Sequence, residues 1–383
     1  MAEELKFNNN LQFTLLEDGK RAFPRILSAI KNAQNSIKIN MFIWRADCIG
    51  IKIARELLKA ANRGVDVQIS VDRYGLVLEL AEESMLSFFH QSPTLLERVK
   101  AGALKWFYKT KRVNFSLQKE ACTLRDKLLN HKNVAVSRDA FKADHSKYYL
   151  IDNNILFLGG INIEDKENGC DYLGRIYQDY MVEIADNRAI ARFLDKINGK
   201  NTKKDGYFFG VNSKVVKPKF FEMEKLYLDI INSAKKELVI TMAYFSPVKE
   251  FIKAIENAVS RGVRVSLTVP QSANFQSDLN MKTVKLLLKK TNENINVYLS
   301  PKMVHTKLVM NEKMISLGSC NINKKAFKQL DELNLFVERR AENKQFEGAL
   351  LNSLKSNLKI SKKASAKDIK YSRTRAFIEG FLM

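Results

Sequence analysis

The sequence predicts an α/β protein built from two pseudo-symmetric halves. Each half is expected to be a mixed, mainly parallel sheet flanked by helices, with the active site at the interface between them. Three observations lead there. One helix–strand–helix–strand pattern occurs twice, each copy ends in a short β-branched run suited to a buried parallel sheet, and a His-x-Lys frame follows in each copy.

The first copy, residues 26 to 72, reads "ILSAIKNAQNSIKINMFIWRADCIGIKIARELLKAANRGVDVQISVD". The second, residues 227 to 270, reads "YLDIINSAKKELVITMAYFSPVKEFIKAIENAVSRGVRVSLTVP". Apolar residues at three- and four-residue spacing predict helices through Ile53, Leu57, Leu58 and Ala61, and through Phe251, Ile252, Ile255 and Val259. Gly64 and Gly262 fall where such helices end in a left-handed cap. "VDVQISV" and "VRVSLTV" then read as strands. Arg-Gly-Val alone is a common helix-to-strand connection; two copies in the same order of elements are better explained by duplication. The boundaries are residues 1–200 for the first half, 201–220 for a linker rich in Gly, Asn and Lys, and 221–345 for the second half. Residues 346–383 form a basic amphipathic tail.

At 383 residues with 45% apolar composition, the chain can bury a sizeable core, which excludes wholesale disorder. There are 64 Lys and Arg against 42 Asp and Glu, a formal net charge of +22. A field of that sign favours nucleic acid, an anionic membrane surface or phosphate-bearing small molecules. Cys48, Cys122, Cys170 and Cys320 are far apart with no CxxC pair, which argues against a zinc site or a disulfide framework and fits a reducing compartment. No metal or cofactor is expected. The start of the chain has early acids and no apolar core, so it does not read as a signal peptide. No apolar run approaches the roughly 18 residues that span a bilayer, so membrane contact is expected to be peripheral.

The chemistry-bearing frames are "HSKYYLID", with His145, Lys147 and Asp152, and "HTKLVMNE", with His305, Lys307 and Glu312. Each is followed by a strand and a small-residue turn ending in asparagine: "ILFLGGIN", with Gly160 and Asn162, and "MISLGSCN", with Ser319 and Asn321. One such frame would be weak; two at the same place in a repeated unit are not accidental. His90 and His131 have no such frame and are expected at the surface or on helices. Residues i and i+2 of a strand share a face, so each histidine projects with its lysine. Two halves packed face to face would gather two imidazoles and two ammonium groups into an anion pocket.

One histidine can attack phosphorus while the other protonates the leaving oxygen and later deprotonates the acceptor. The residues alone do not say which does which. Lys147, Lys307, Asn162 and Asn321 would hold non-bridging oxygens, with Gly160 and Ser319 against the substrate. Asp179 and Glu332, at the start of the next strand in each half, are the candidate acceptors that fix the imidazole tautomers.

These paired frames resemble the phospholipase D superfamily, whose signature is a duplicated HxKxxxxD followed by a Gly-Gly or Gly-Ser turn and asparagine. The resemblance runs from about residue 25 to about residue 340. Within it, "FLGGINI", "AYFSP", "RGVRVSLTVP" and "GSCNIN" followed by "DELNL" are similar to segments of bacterial cardiolipin synthases. The resemblance implies that His145 is the nucleophile and His305 the general acid and base, with Asp152 and Glu312 in supporting roles. The sequence departs from the pattern in several places. The second motif ends in Glu312, its run to Asn321 is one residue shorter, and Ala143-Asp144 stands where arginine or asparagine often precedes the first histidine. The N-terminal membrane helices common in such synthases are not found.

Two segments bear on the substrate. Residues 97 to 143 carry twelve Lys or Arg against four acids, interleaved with Trp106, Phe107, Tyr108 and Phe115. Such a segment suits a membrane interface or single-stranded nucleic acid, unless "ALKWFYK" is a plain strand with a solvated loop. The tail from residue 353 has eight basic residues against two acids and ends in apolar "FIEGFLM". It suits attachment to anionic lipid, or a helix docked on the domain.

The expected function is a phosphodiesterase acting on phospholipids through phosphohistidine, as a cardiolipin synthase-like phosphatidyltransferase or a phospholipase D hydrolase. A metal-independent nuclease is the alternative. A non-catalytic anion-binding module is disfavoured because both histidines and both lysines are present. The expected partner is anionic phospholipid or a membrane surface, with nucleic acid as the alternative and no obligate protein partner. The expected location is cytoplasmic, or peripheral at the inner face of a membrane.

Overall fold

The computed structural model describes residues 13–83, 87–90, 92–108, 118–138, 140–169, 176–214, 216 and 219–382. The amino-terminal stretch, the part of the basic segment that includes Phe115, and Cys170 lie outside them.

The first half opens with β1 (Phe13–Glu17), α1 (Asp18–Asn32), β2 (Ser36–Met41), α2 (Cys48–Asn62) and β3 (Asp66–Val71). Three helices follow: α3 (Arg73–Glu83), α4 (Leu95–Tyr108) and α5 (Gln118–Leu129). Then come β4 (Val134–Ser137), the hairpin β5 (Tyr148–Ile151) and β6 (Ile155–Gly159), β7 (Tyr177–Gln178), β8 (Tyr180–Ile184) and α6 (Asn187–Ile197). The second half begins with β9 (Tyr207–Ser213), β10 (Phe220–Phe221), α7 (Met223–Ser233), β11 (Glu237–Met242) and β12 (Phe245–Ser246). It continues through α8 (Lys249–Ser260), β13 (Arg264–Pro270), α9 (Ser277–Lys290), β14 (Asn296–Ser300) and β15 (Met303–Val304). The second hairpin, β16 (Lys307–Asn311) and β17 (Met314–Gly318), leads to β18 (Ile322–Asn323), α10 (Lys324–Lys328) and β19 (Glu332–Glu338). The chain closes with α11 (Lys344–Ile360), β20 (Lys362–Ala364) and α12 (Arg373–Leu382).

The first sheet has the order β1-β8-β6-β5-β2-β3-β4, and the second contains β9-β19-β17-β16-β11-β13-β14, the same order strand for strand. β10 and β20 extend the second sheet at its edges. Within these two sheets, parallel pairing is confined to β2-β3-β4 and β11-β13-β14. The sheets are therefore mixed, as expected, but antiparallel neighbours outnumber parallel ones. The motif hairpins and the strands that return beside them supply the antiparallel part.

The Arg-Gly-Val repeat has a mechanical basis. Gly64 and Gly262 take φ of 99° and 81°, the left-handed turn that ends α2 and α8 without a Cβ clash. The preceding arginines reach sideways. Arg63 donates to the carbonyls of Ile30 and Ala33, and Arg261 to those of Ile231, Asn232 and Ala234. Each arginine thus satisfies the open C-terminal carbonyls of the helix before it, α1 or α7.

The motif acids do similar work at the far end of their strands. Asp152 accepts from the amides of Gln34, Asn35 and Ser36, and Glu312 from those of Lys235, Lys236 and Glu237. Both clamp the turn between the first helix and the first central strand of their half. The one-residue length difference is absorbed beside them, where Asp152 and Asn153 take positive φ in the longer turn. Burial opposes the Asp152 charge, but its three amide donors prevail and hold the carboxyl below its ordinary value. Asp152→Asn is expected to lower unfolding stability by about 1–2 kcal/mol in urea titrations. The stabilisation is complete above the unfolded carboxyl's titration near pH 4 and is lost as pH falls through the depressed folded value. The gap between the two proteins should therefore close in acid.

Each half has its own apolar core between sheet and helices. A third core joins the halves, where Leu150, Leu156 and Leu158 meet Leu308, Leu317 and Leu335 as the two sheets pack face to face.

Three local expectations are corrected, and of the two forms expected for the tail one is found. Residues 201–220 are not wholly a linker, because β9 pairs along β19 inside the second sheet. The tail is docked: α11 packs beside β1, β20 pairs with β14, and α12 lies on α9. Of "ALKWFYK", Ala103 to Tyr108 are the end of helix α4, which packs Ala101 against Val77 and Ala81 of α3. His90 is buried in a loop, between the Ser87 hydroxyl and the Arg138 carbonyl. Among the described residues, no helix is long and apolar enough to cross a membrane.

Candidate active site

Each motif histidine stands just before a central strand of its own sheet, but its partner carboxylate comes from the other half. His145 Nδ1 lies 3.2 Å from both carboxylate oxygens of Glu332. His305 Nδ1 lies 2.9 Å from Asp179 Oδ2 and 3.2 Å from Glu167 Oε1. Backbone pairing across the interface sets this exchange. The His145 amide donates to the Asp331 carbonyl at 2.8 Å, beside a bridge between Asp144 and Asp331. In the mirrored place the His305 amide donates to the Gln178 carbonyl at 2.8 Å, where β15 pairs with β7. Each histidine is thereby fixed against the residue that precedes its carboxylate.

Lys147 and Lys307 are buried and curl back onto the chain. Lys147 Nζ donates to the His145 carbonyl at 2.6 Å, and Lys307 Nζ to the His305 carbonyl. Lys307 also stands 3.7 Å from Asp179. Phe42 meets the His145 ring edge-on at 4.7 Å and lies under the Lys147 ammonium, while Tyr177 and Tyr244 flank His305. Asn162 and Asn321 are buried, and among the described residues the side-chain oxygen of each has no hydrogen-bond partner. A buried amide left with an open position can meet a ligand there, and rotation exchanges its oxygen for an N–H donor.

Gly160 and Ser319, expected against substrate, are placed against the carboxylates. A Cβ on Gly160 would lie 2.2 Å from Asp179 Oδ2, so only glycine lets that side chain in. At the equivalent position the Ser319 hydroxyl donates to Glu332. The turn after each hairpin thus shapes the seat of a carboxylate that serves the opposite half.

The two histidine pairs differ in charge. Burial, followed by Lys147, Lys307 and His305, holds the His145 imidazole well below its ordinary value. Burial also pushes Glu332 up to about 8, so this pair leans toward its uncharged form. Burial and Lys307 oppose a charge on His305 too, but Glu167 and Asp179 overcome them and raise it. Asp179 in turn is kept ionised by Lys307 and His305 in spite of burial. The site therefore holds one neutral imidazole beside one that favours its proton, a division invisible in two near-identical motifs. Glu167, Asp179 and His305 have the mutual spacing of a cation site, but the imidazolium and Lys307 already supply positive charge there.

Burial and the neighbouring Lys307 push Lys147 down to about 7. An anion beside it would restore its charge. Binding of inorganic vanadate or phosphate is therefore expected to take up a proton above about pH 7, read by calorimetry in buffers of different ionisation enthalpy. Lys147→Met should remove that uptake.

A cavity of about 960 Å³ takes in His145 and Asn321 of this site. Its walls are mostly apolar and come from α3 and α4, with Val77, Leu104 and Phe107, and from Phe275 across the way. Glu167 and Phe42 were missed from sequence, whereas Trp106, Phe107 and Tyr108 of the α4 wall lie in the segment expected to bear on the substrate, though not as a helix. Only α4 left a readable signal there. In "TLLE", Thr94 and Glu97 form a reciprocal capping box, with the Thr94 amide donating to Glu97 and the Glu97 amide to the Thr94 hydroxyl.

The family described as cardiolipin synthase, PLD-like domain, matches residues 26–199 and 227–354. Cardiolipin synthase 2 of Staphylococcus epidermidis is 25% identical over 395 residues, covering 96% of this chain and 74% of that protein. Cardiolipin synthase B of Salmonella typhi is 26% identical over 383 residues, covering 90% and 81%. Phosphatidylserine synthase of Haemophilus influenzae superposes with a TM-score of 0.71 over 97% of this chain and 91% of that one, at 14% identity. That likeness concerns the fold.

Proposed function

The chain belongs to the cardiolipin synthase family of PLD-like domains, and from that membership we propose that it moves a phosphatidyl group between alcohols through a phosphohistidine. The observation that carries this reading is the mostly apolar cavity whose lining includes His145 and Asn321. Such a chamber accommodates the hydrocarbon portion of a phospholipid with its phosphodiester beside those two residues. A polynucleotide would ask instead for an open cationic track with stacking faces.

The chemistry follows from the two unlike histidines. With Nδ1 of His145 turned to Glu332, Nε2 faces the substrate and attacks phosphorus. The bond to the departing alcohol breaks, and that oxygen takes the proton of His305. Lys147, Lys307 and the amides of Asn162 and Asn321 offset charge on the non-bridging oxygens. An incoming hydroxyl then gives its proton to His305 and attacks phosphorus. The P–N bond breaks and its electron pair returns to His145. An alcohol acceptor yields a new phospholipid, and water yields phosphatidic acid.

The test offers the purified chain phosphatidylglycerol vesicles and, separately, single- and double-stranded nucleic acid, with chelator present. Lipid turnover with intact nucleic acid is expected. Release of glycerol with cardiolipin marks transfer, and phosphatidic acid marks hydrolysis. Cleavage of nucleic acid without lipid turnover would overturn the reading.

A further inference from the structure

Around the mouth of the catalytic cavity the protein leaves apolar side chains in solvent. On α4, Leu95, Val99 and Trp106 are 79%, 60% and 81% exposed. Their spacing of four and seven residues puts them on one stripe of the helix, turned away from the core that the other side supplies. Phe377 on α12 is 73% exposed. Trp106, Phe141 and Ile378 belong to the cavity wall itself, so the exposed patch is continuous with the passage to His145.

A second feature adjoins it. Lys282, Lys285 and Lys289 share a face of α9 and, with Lys367, Lys370 and Arg373, line a groove of about 520 Å³ that no carboxylate enters among the described residues. This groove lies outside the catalytic site and takes no part in the proposed reaction. α12 joins the two features. Arg375 stacks over Phe107 of α4 and pairs with Asp278 of α9, and Glu379 accepts from the Leu279 amide. With α12 fixed in this way, Arg373 in the groove and Phe377 at the apolar rim stand one turn apart on one helix face.

We propose that this composite face, the α4 stripe with Phe377 and the α9–tail lysine groove, is the docking surface for an anionic phospholipid bilayer. The inference rests on the phospholipid reading above and names where the lipid surface is met. Charge complementarity selects the occupant: six cations bind anionic headgroups while the apolar rim enters the interface, and neither signal alone anchors firmly. Docked so, the cavity mouth opens onto the leaflet and a lipid can enter without crossing water. Nucleic acid would use the groove but leave the apolar rim bare.

The test uses the full chain with phosphatidylcholine vesicles made with and without phosphatidylglycerol. The chain has two tryptophans and Trp44 is fully buried, so a blue shift on vesicle addition reports Trp106. Sedimentation should show binding to phosphatidylglycerol-containing vesicles, weakened by salt, with that shift. Lys282→Glu with Lys289→Glu, and separately Val99→Ser with Phe377→Ser, should each lower vesicle affinity at least about tenfold. Both double variants should turn over a short-chain phospholipid, dispersed below its micelle concentration, as the unaltered protein does. Vesicle binding unchanged in both variants would overturn the proposal. So would a lysine variant that loses single-stranded nucleic acid binding but keeps vesicle binding. An unaltered protein that binds vesicles yet never turns over dispersed lipid would instead overturn the reaction and leave the docking face standing.

Discussion

His145→Asn is expected to lower turnover on the order of 10⁴-fold or more and to abolish any covalent phosphoenzyme. No other imidazole at the site is held toward its neutral form, because His305 is held toward its protonated one. The companion variant separates the roles. With a phosphodiester whose leaving group needs no proton, His305→Asn should still form the adduct, since protonation of the departing oxygen is then dispensable. The adduct should then persist, because no base activates the acceptor. Quenched samples analysed by mass spectrometry would show it. An adduct on His145→Asn, or none on His305→Asn, would reverse the assignment.

Asp179→Asn should act through His305. The carboxylates of Asp179 and Glu167 raise that imidazole against burial and Lys307. Removing one of them lowers the pH at which His305 gives up its proton. The alkaline limb of kcat/KM, where the general acid is lost, is therefore expected to move toward lower pH. Turnover at neutral pH should fall by about 10²- to 10⁴-fold. A loss of activity with an unmoved alkaline limb would mean that Asp179 only shapes the pocket. The Gly160 turn leaves no room for a longer compensating side chain, so Asp179→Glu should not restore the limb.

Most of the architecture was legible because it is written twice. The two glycine-ended helices and β-branched strands carried their own punctuation, and the hairpins carried the motifs. The dominance of antiparallel pairing was not legible, since a buried central strand looks alike in either sense. "ALKWFYK" was misread because the alternation of Trp106 and Tyr108 outweighed the capping box at Thr94 and Glu97. Asp179 and Glu332 could be named as acceptors from position, but not the exchange between halves, which depends on the cross-interface pairing of Asp144 with Asp331 and of β15 with β7. Nor could two similar motifs show which imidazole is neutral; that follows from Glu167, a second carboxylate at His305, and from the Lys307 and His305 charges that keep Asp179 ionised while burial raises Glu332.

The exchanged carboxylates also impose an order of events on synthesis. A growing chain exposes His145 long before Glu332 has been made, and the first sheet can fold as a unit while the second is still being translated. Through that interval the nucleophile has no partner to set its tautomer and no general acid across from it. On the proposed mechanism, phosphoryl chemistry begins only once β19 has been made and has docked beside β17. On that reading the topology keeps a nascent first half inert toward lipid.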